Sequence, residues 1–178
     1  YEVKLGLDPD GSSGKGFEWG VNDFSNYNES EENISSVRRM KTNHGYDTHF
    51  ATQNLGGGNS WEGVTTGVDA DAGDILMCAW KNGKVYYGYN GTWFFSANPS
   101  NNTDGSTQVP LEDCNAYQIP AGRSHLGGMG DCQFNFGNGF FGTTAISSAG
   151  SNGNGSLFEY DVPTGYYALN TKNINTYG

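Results

Sequence analysis

Basic residues are scarce in this sequence. Lys and Arg together number 9 among 178 residues, against 19 Asp and Glu, and the formal net charge is −10. The only basic cluster, Arg38-Arg39 with Lys41, follows the acidic residues Glu31 and Glu32 and is expected to be a solvated loop. Because nucleic acids and anionic membranes are bound through clustered cations, we expect neither as a partner.

Long apolar runs are also missing. No segment approaches 18 consecutive apolar residues, so we expect no membrane-spanning helix and no membrane insertion. No basic and apolar leader opens the chain. Because Tyr1 falls inside a predicted strand, we expect residues 1–178 to form a single domain taken from a longer polypeptide.

The sequence has no recognisable metal or cofactor motif. There is no Cys-x-x-Cys pair, and His44 and His49 are five residues apart, which places them on opposite faces of a strand. The segments DPDG (8–11) and DADAGD (69–74) lack the EF-hand spacing and are typical of turns. The G-x-G-x-x-G match at 137–142 is not followed by a helix pattern. We therefore expect no metal, no nucleotide and no other cofactor.

Catalytic motifs are absent too. Only three histidines are available as bases, and no G-x-S-x-G elbow occurs. The 19 acidic residues leave a chance pair of facing carboxylates open, but no motif singles one out. We therefore expect that the protein is not an enzyme.

Cysteine is limited to three residues. Cys78 lies in an apolar segment and is expected to be a small buried hydrophobic residue. Cys114 and Cys132 are close enough in sequence to form a disulfide in oxidising surroundings, and the odd total leaves this pairing open.

Turn and aromatic residues are abundant. The 28 glycines and the 14% of aromatic residues predict an all-β protein with many short strands. The segment 73–93, GDILMCAWKNGKVYYGYNGTW, predicts an apolar strand, a turn at Asn82-Gly83, an aromatic return strand and a second turn at Asn90-Gly91. Both faces of the first strand are apolar, which is typical of a strand buried between two layers.

The order of these elements resembles the central hairpin of the SPRY domain, and more narrowly the SPRY-like domains of tailed-bacteriophage structural proteins. YEVKL at 1–5 is similar to the opening strand of that domain, and GYD at 45–47 to the strand before the hairpin. QFNFG at 133–137 and PTGYYALNT at 163–171 resemble a phage-type strand and closing segment. The resemblance implies a two-sheet antiparallel β-sandwich of SPRY-like, jelly-roll type with long polar loops. The regions 22–44, 96–118 and 142–157 depart from it.

Local patterns predict further elements. Residues 1–7 and 17–21 are expected to pair as a hairpin, and residues 32–40 to form a helical turn. Short strands are expected at 45–52, 61–68, 116–119, 131–136 and 157–160. Trp19, Trp80 and Trp93 lie in or beside predicted strands and are expected to pack in the core.

By resemblance, such a sandwich is a scaffold that binds protein or peptide through its loops. We expect a non-enzymatic structural or adhesion module on the surface of a virion, such as part of a fibre, baseplate or capsid decoration. It would be multimeric, would contact other virion subunits, and would bind a cell-surface protein or glycan. Two alternatives stay open: a secreted extracellular adhesin or self-assembling filament subunit, and a lectin-like carbohydrate-binding domain.

Loop placement and chemistry nominate four binding residues: Tyr27, His44, Tyr46 and Trp61. Aromatic side chains among Asn and Asp suit both sugar sites and protein interfaces. Five asparagines lie in sequons and would carry glycans only in a glycosylating secretory route: Asn28, Asn33, Asn90, Asn101 and Asn154.

Overall fold

The computed structural model describes residues 1–6, 16–23, 37–42, 49–53, 61–65, 70–81, 84–103, 118–125, 132–151, 155–169 and 175. Side chains are described in these ranges except at 16–18, 21–23, 37–42, 49–53, 61–65 and 118–125. The fold is all-β with antiparallel sheets, as the composition predicts. Within these ranges, no helix combines the length and the apolar character needed to cross a membrane.

The strands are short, and two 3-10 helices follow the eighth. The strands are β1 (Glu2–Leu5), β2 (Gly16–Asp23), β3 (Val37–Thr42), β4 (His49–Gln53), β5 (Trp61–Thr65), β6 (Ile75–Lys81), β7 (Lys84–Tyr89), β8 (Thr92–Trp93), β9 (Gln118–His125), β10 (Cys132–Asn135), β11 (Phe140–Phe141) and β12 (Thr144–Ala145). The 3-10 helices are Phe94–Ser96 and Pro99–Asn101.

The first sheet has the strand order β10-β1-β6-β7-β8. In β1, Val3 lies opposite Phe134 of β10 on one side and Leu76 of β6 on the other. Val3 and Leu5 are fully buried, as the residues of an interior strand are expected to be. The predicted hairpin between 1–7 and 17–21 is therefore wrong, because both edges of β1 are occupied and β2 belongs to the other sheet.

The second sheet has the strand order β5-β4-β3-β2-β9. The helical turn predicted over 32–40 is wrong at residues 37–40, its described part. There the backbone of β3 pairs with β2 on one side and β4 on the other, and this long-range pairing overrides a weak local preference. β9 extends well beyond the strand predicted at 116–119. Pro120 is compatible with it because β9 is an edge strand among the described strands of this sheet.

Of the two turns predicted in the central segment, the one at Asn90-Gly91 is confirmed, while Asn82 and Gly83 lie outside the described residues. β6 and β7 pair as far as Lys81 and Lys84, which leaves a connection of two residues. A second such connection joins β7 to β8, where Asn90 and Gly91 have φ angles of 43° and 82°. A type I′ turn requires positive φ at both central residues, which explains why an Asn-Gly pair is found there.

Trp19 carries the contacts between the two sheets and confirms its predicted place in the core. Its side chain is fully buried, its Nε1 donates a hydrogen bond to the Met77 carbonyl oxygen at 3.0 Å, and its ring meets Tyr87 edge-on at 5.9 Å. The Tyr1 hydroxyl donates to the Gly20 carbonyl and accepts from the Gly20 N–H. Around these contacts lies a buried apolar cluster that includes Val3, Leu5, Leu76, Cys78, Val85 and Phe94.

The other face of β6 is also apolar, as predicted. Ile75 and Met77 pack with Phe141 in a second buried cluster. The chain that covers this face, residues 137–169, contains only the short strands β11 and β12 in its described part, and the strand predicted at 157–160 is replaced by a single parallel bridge between Asn138 and Leu157. Among the described residues, this irregular cover leaves a groove along part of the face.

Candidate functional site

The residues nominated from the sequence are only partly placed by the structure. Tyr27, His44 and Tyr46 lie outside the described residues. Trp61 opens β5, where its backbone pairs with Gln53, and its side chain is outside the description. That these four residues share one binding face therefore stays a prediction.

Of the five sequon asparagines, the structure describes Asn90 and Asn101, while Asn28, Asn33 and Asn154 lie outside the described residues. The Asn90 amide is part of a turn: its Nδ2 donates to Asp74 at 2.7 Å, and its Oδ1 accepts from the Ile75 N–H at 2.8 Å. Asn101 is exposed on the second 3-10 helix. A glycan is therefore more easily accommodated at Asn101 than at Asn90, where it would displace a hydrogen bond.

Two of the three cysteines are described. Cys78 is buried in β6, as predicted. Cys132 is half-buried in β10 opposite Leu5. Cys114 lies outside the described residues, so its pairing with Cys132 stays a prediction.

Asp74 organises the described part of one segment that looks superficially like a calcium loop. Its carboxylate accepts hydrogen bonds from the Asp71 N–H at 2.7 Å, the Tyr89 hydroxyl at 2.5 Å and Asn90 Nδ2 at 2.7 Å. This is the turn chemistry predicted there, while the segment 8–11 lies outside the described residues. No group of three His, Cys, Asp or Glu suited to a metal ion occurs in the ranges that the structure describes.

Three aromatic side chains are named here the aromatic wall. Trp93 lies on β8 at the edge of the first sheet, and Tyr166 and Tyr167 lie beside that sheet in the closing segment 161–169. An apolar groove of about 390 Å³ lies on one side of the wall along β6, and a polar cleft of about 1190 Å³ lies on the other. All three residues line both depressions. Concave surfaces that combine aromatic side chains with a few polar groups are typical of ligand sites.

The polar cleft lies between the loops 96–100 and 161–167. Two hydrogen bonds hold its walls: the Thr164 N–H donates to Ser100 Oγ at 2.8 Å, and the Ser151 N–H donates to Asp161 Oδ1 at 2.5 Å. Asp161 is the only charged side chain in the described lining. The other polar side chains there carry hydroxyl or amide groups: Thr92, Ser96, Asn98, Ser100, Ser151 and Thr164.

A buried carboxylate ties the first sheet to the start of residues 158–169, which are named here the closing region. Glu2 is 4% exposed, and its oxygens accept hydrogen bonds from the Tyr160 N–H at 2.9 Å, the Glu159 N–H at 3.0 Å and Asn135 Nδ2 at 3.3 Å. Burial raises the pKa of Glu2, and the two backbone hydrogen bonds oppose that rise. Glu2 thereby positions the chain that leads into the aromatic wall.

Tyr166 forms the inner part of the wall. The Lys81 Nζ donates to the Gly165 carbonyl oxygen at 3.0 Å and lies 5.5 Å from the centre of the Tyr166 ring. The ring meets Tyr86 edge-on at 6.5 Å. The Tyr166 hydroxyl oxygen is buried and has no hydrogen-bond partner within the described residues, and this burial raises its pKa well above the ordinary value.

Backbone strain lies in the chain that leads from β8 into the polar cleft. Phe95 and Ser96 have φ angles of 60° and 56°, a conformation that residues other than glycine rarely adopt. Each such residue costs on the order of 1–3 kcal/mol, and strain of this kind tends to cluster at ligand-contacting positions. Phe95 directly precedes the loop 96–100, and Ser96 is the first residue of that loop.

The residues of the aromatic wall are not among the binding residues that the sequence predicts. Tyr166 and Tyr167 contributed only to the family resemblance, and Trp93 was expected in the core, whereas it is only partly buried. The available signal was the adjacent pair Tyr166-Tyr167, two large aromatic side chains directly after the turn at Thr164-Gly165. Tyr166 is half-buried and Tyr167 is 51% exposed.

Comparison of the chain with protein-family models, with curated proteins and with solved structures finds no match.

Proposed function

We propose that this chain is a non-enzymatic recognition module of a virion or other extracellular surface assembly, and that it binds its ligand at the aromatic wall. The observation that carries the proposal is the exposed Tyr167 beside Trp93 and Tyr166, between an apolar groove and a polar cleft. Aromatic side chains are enriched at recognition surfaces because they supply a large contact area with few rotatable bonds.

The use of the nearby carboxylates supports binding rather than catalysis. Glu2 accepts three hydrogen bonds that hold the closing region, and one oxygen of Asp161 accepts from the Ser151 N–H across the polar cleft. A general acid or base must be within reach of a substrate proton. Glu2 is instead buried and bound by the protein's own N–H groups, which favours a structural role.

We also propose that the two sheets pack face to face as a β-sandwich of the SPRY-like, jelly-roll type. The contacts of Trp19 with Met77 and Tyr87 support this arrangement, because a sandwich requires a shared apolar core between its sheets. The resemblance of the opening, central and closing segments to phage-type SPRY domains supports a place on a virion. The net charge of −10 suits a soluble, exposed module.

Cryo-electron microscopy of the native particles that contain this chain tests the proposal. We expect many copies on a capsid or tail, with the aromatic wall of each copy facing away from its neighbours. A free filament built only of this chain, with the wall buried between copies, would contradict the proposal. That result would instead favour a self-assembling extracellular polymer.

A further inference from the structure

We propose that the aromatic wall and the polar cleft bind a neutral oligosaccharide, an inference that rests on the proposed function. A pyranose ring has an apolar face of C–H groups and an edge of hydroxyl groups. A site for it therefore needs a flat aromatic surface directly beside hydrogen-bonding groups. The wall and the cleft place these two kinds of surface next to each other.

Tyr167 supplies the flat surface. It is 51% exposed although it lies in a segment held at Tyr160 by Glu2 and at Gly165 by Lys81. Both anchors precede Tyr167 along the chain and order the backbone that leads to it, which lowers the entropic cost of stacking a ligand on the exposed part of its ring. Trp93, from the first sheet, extends the same surface.

The polar cleft supplies the hydrogen-bonding groups. Its described lining combines hydroxyl groups with the Asn98 amide and the Asp161 carboxylate. The backbone of Asn98 is fixed by hydrogen bonds with Thr103 in both directions, at 2.8 and 3.1 Å. On loops braced by Ser100 and Thr164, the hydroxyl and amide groups both donate to and accept from sugar hydroxyls, and the carboxylate accepts from them.

The charge of the site selects a neutral ligand. The only charged side chain in the described lining of the cleft is an acid, Asp161, and the chain as a whole carries −10. The nearest cation in the apolar groove, Lys81, already donates to Gly165 and lies over Tyr166. Sialylated or sulfated sugars would therefore meet uncompensated repulsion.

A peptide ligand fits the same surface less well. Extended peptides commonly bind by adding a strand to an exposed sheet edge. The edge strand beside the cleft, β8, is only two residues long and runs directly into a 3-10 helix. It therefore offers almost no ladder of backbone groups to a peptide.

The test is retention of the purified full chain on an array of neutral hexose and N-acetylhexosamine oligosaccharides, their sialylated and sulfated counterparts, and apolar peptides. We expect retention by neutral members, and calorimetric titration with the best of them should show binding about tenfold weaker for Tyr167→Ala. Tyr167→Phe keeps the ring and should retain binding. Phe140→Ala is the matched control, because Phe140 is similarly exposed, at 45%, and lines neither depression.

The possible results separate this assignment from the proposed function. Three results would overturn the assignment of a neutral oligosaccharide as the ligand: a preference for acidic sugars, retention by peptides instead of glycans, or no retention at all. Glycan binding that Tyr167→Ala leaves unchanged would overturn its placement at the wall. In each case cryo-electron microscopy of the native particles still tests the proposed function by itself. That function fails only if neighbouring copies cover the aromatic wall.

Discussion

The two faces of β6 are equally apolar in sequence, yet they are covered in different ways. Leu76 and Cys78 face a core that Trp19 of the second sheet completes. Ile75 and Met77 face a smaller cluster that is covered by an irregular chain with only two short strands in its described part. One face is closed by large side chains from regular elements, whereas the other, in the described part of the chain, is left with the apolar groove.

The difference lies in what holds each cover in place. Trp19 is fixed by close packing and by a hydrogen bond from its ring nitrogen to the backbone of β6. The closing region is fixed at separate points, above all by the buried carboxylate of Glu2. Attachment at a few hydrogen-bonded points holds a chain without filling the space beneath it. A concave surface is therefore left next to a closely packed core.

The largest expected effect comes from a substitution on the closed face of β6, which is the face that packs with Trp19. Trp19→Ala should lower the free energy of unfolding by about 3–5 kcal/mol, because it leaves a cavity between the sheets and removes the hydrogen bond to Met77. Urea unfolding followed by far-ultraviolet circular dichroism measures the change. Trp93→Ala is the control, since Trp93 is only partly buried and should cost clearly less. Equal losses from the two variants would contradict the proposed difference between the faces.

Glu2→Ala should have the next largest effect, on the open face. The N–H groups of Glu159 and Tyr160 and the Asn135 amide lose their shared acceptor, and we expect a loss of about 1–3 kcal/mol in unfolding experiments. Limited proteolysis should also cut the region 158–169 faster. Glu159→Ala is the control: its carboxylate accepts from the Ser147 N–H and hydroxyl at the surface, and its loss should cost less because both donors stay accessible to water. A smaller effect for Glu2 than for Glu159 would refute this account of the attachment.

Two tyrosines in contact, Tyr86 beside the wall and Tyr166 within it, should change the stability with opposite signs when each is replaced by Phe. The Tyr86 hydroxyl donates to Asn102 Oδ1 at 3.0 Å, so Tyr86→Phe should lower the free energy of unfolding by about 1 kcal/mol. The Tyr166 hydroxyl is buried without a partner in the described structure, so Tyr166→Phe should raise it by up to about 1 kcal/mol. Thermal unfolding of both variants checks the signs. If Tyr166→Phe is the more destabilising of the two, its hydroxyl has a partner after all.

The titration of Glu2 should have the smallest effect on stability. It is measured as the difference in free energy of unfolding between the wild type and Glu2→Gln. Burial raises the pKa of Glu2 in the folded chain, so the folded state holds this proton more tightly than the unfolded state. The stability of the wild type relative to Glu2→Gln should therefore fall as the pH rises from the ordinary carboxyl pKa of 4.5 through the raised pKa, and then level off. Urea unfolding of both proteins across this range tests the sign. A difference that grows with pH would mean that the hydrogen bonds outweigh burial.

The parts of the fold that depend on neighbouring residues could be predicted from the sequence. The β6–β7–β8 meander is encoded by two Asn-Gly turns and by apolar and aromatic strands beside them, so its partners are adjacent along the chain. β1 could not be assigned in this way. Its partners lie some 70 and 130 residues further along the chain. No local pattern predicts which distant strands will pair with a given strand.

The candidate site shows the same division. The chemistry of the closing segment is visible in the sequence as Tyr166-Tyr167, but its neighbours Trp93 and Asn98 come from a part of the chain some 70 residues earlier. The nominated residues Tyr27, His44, Tyr46 and Trp61 were chosen by loop placement and chemistry. Placement in a loop is a local property, whereas convergence on one surface depends on contacts between distant segments.

Composition, turn chemistry and alternation of apolar residues determined that this protein is all-β, where the central strands turn, and that β6 is apolar on both faces, because each of these follows from interactions within a few residues. Only the tertiary structure decided that Trp19 completes one of those faces while a segment held by Glu2 covers the other. That outcome depends on which distant segments pack together. A buried carboxylate finds its N–H donors, and an aromatic wall is assembled, only once those segments have met.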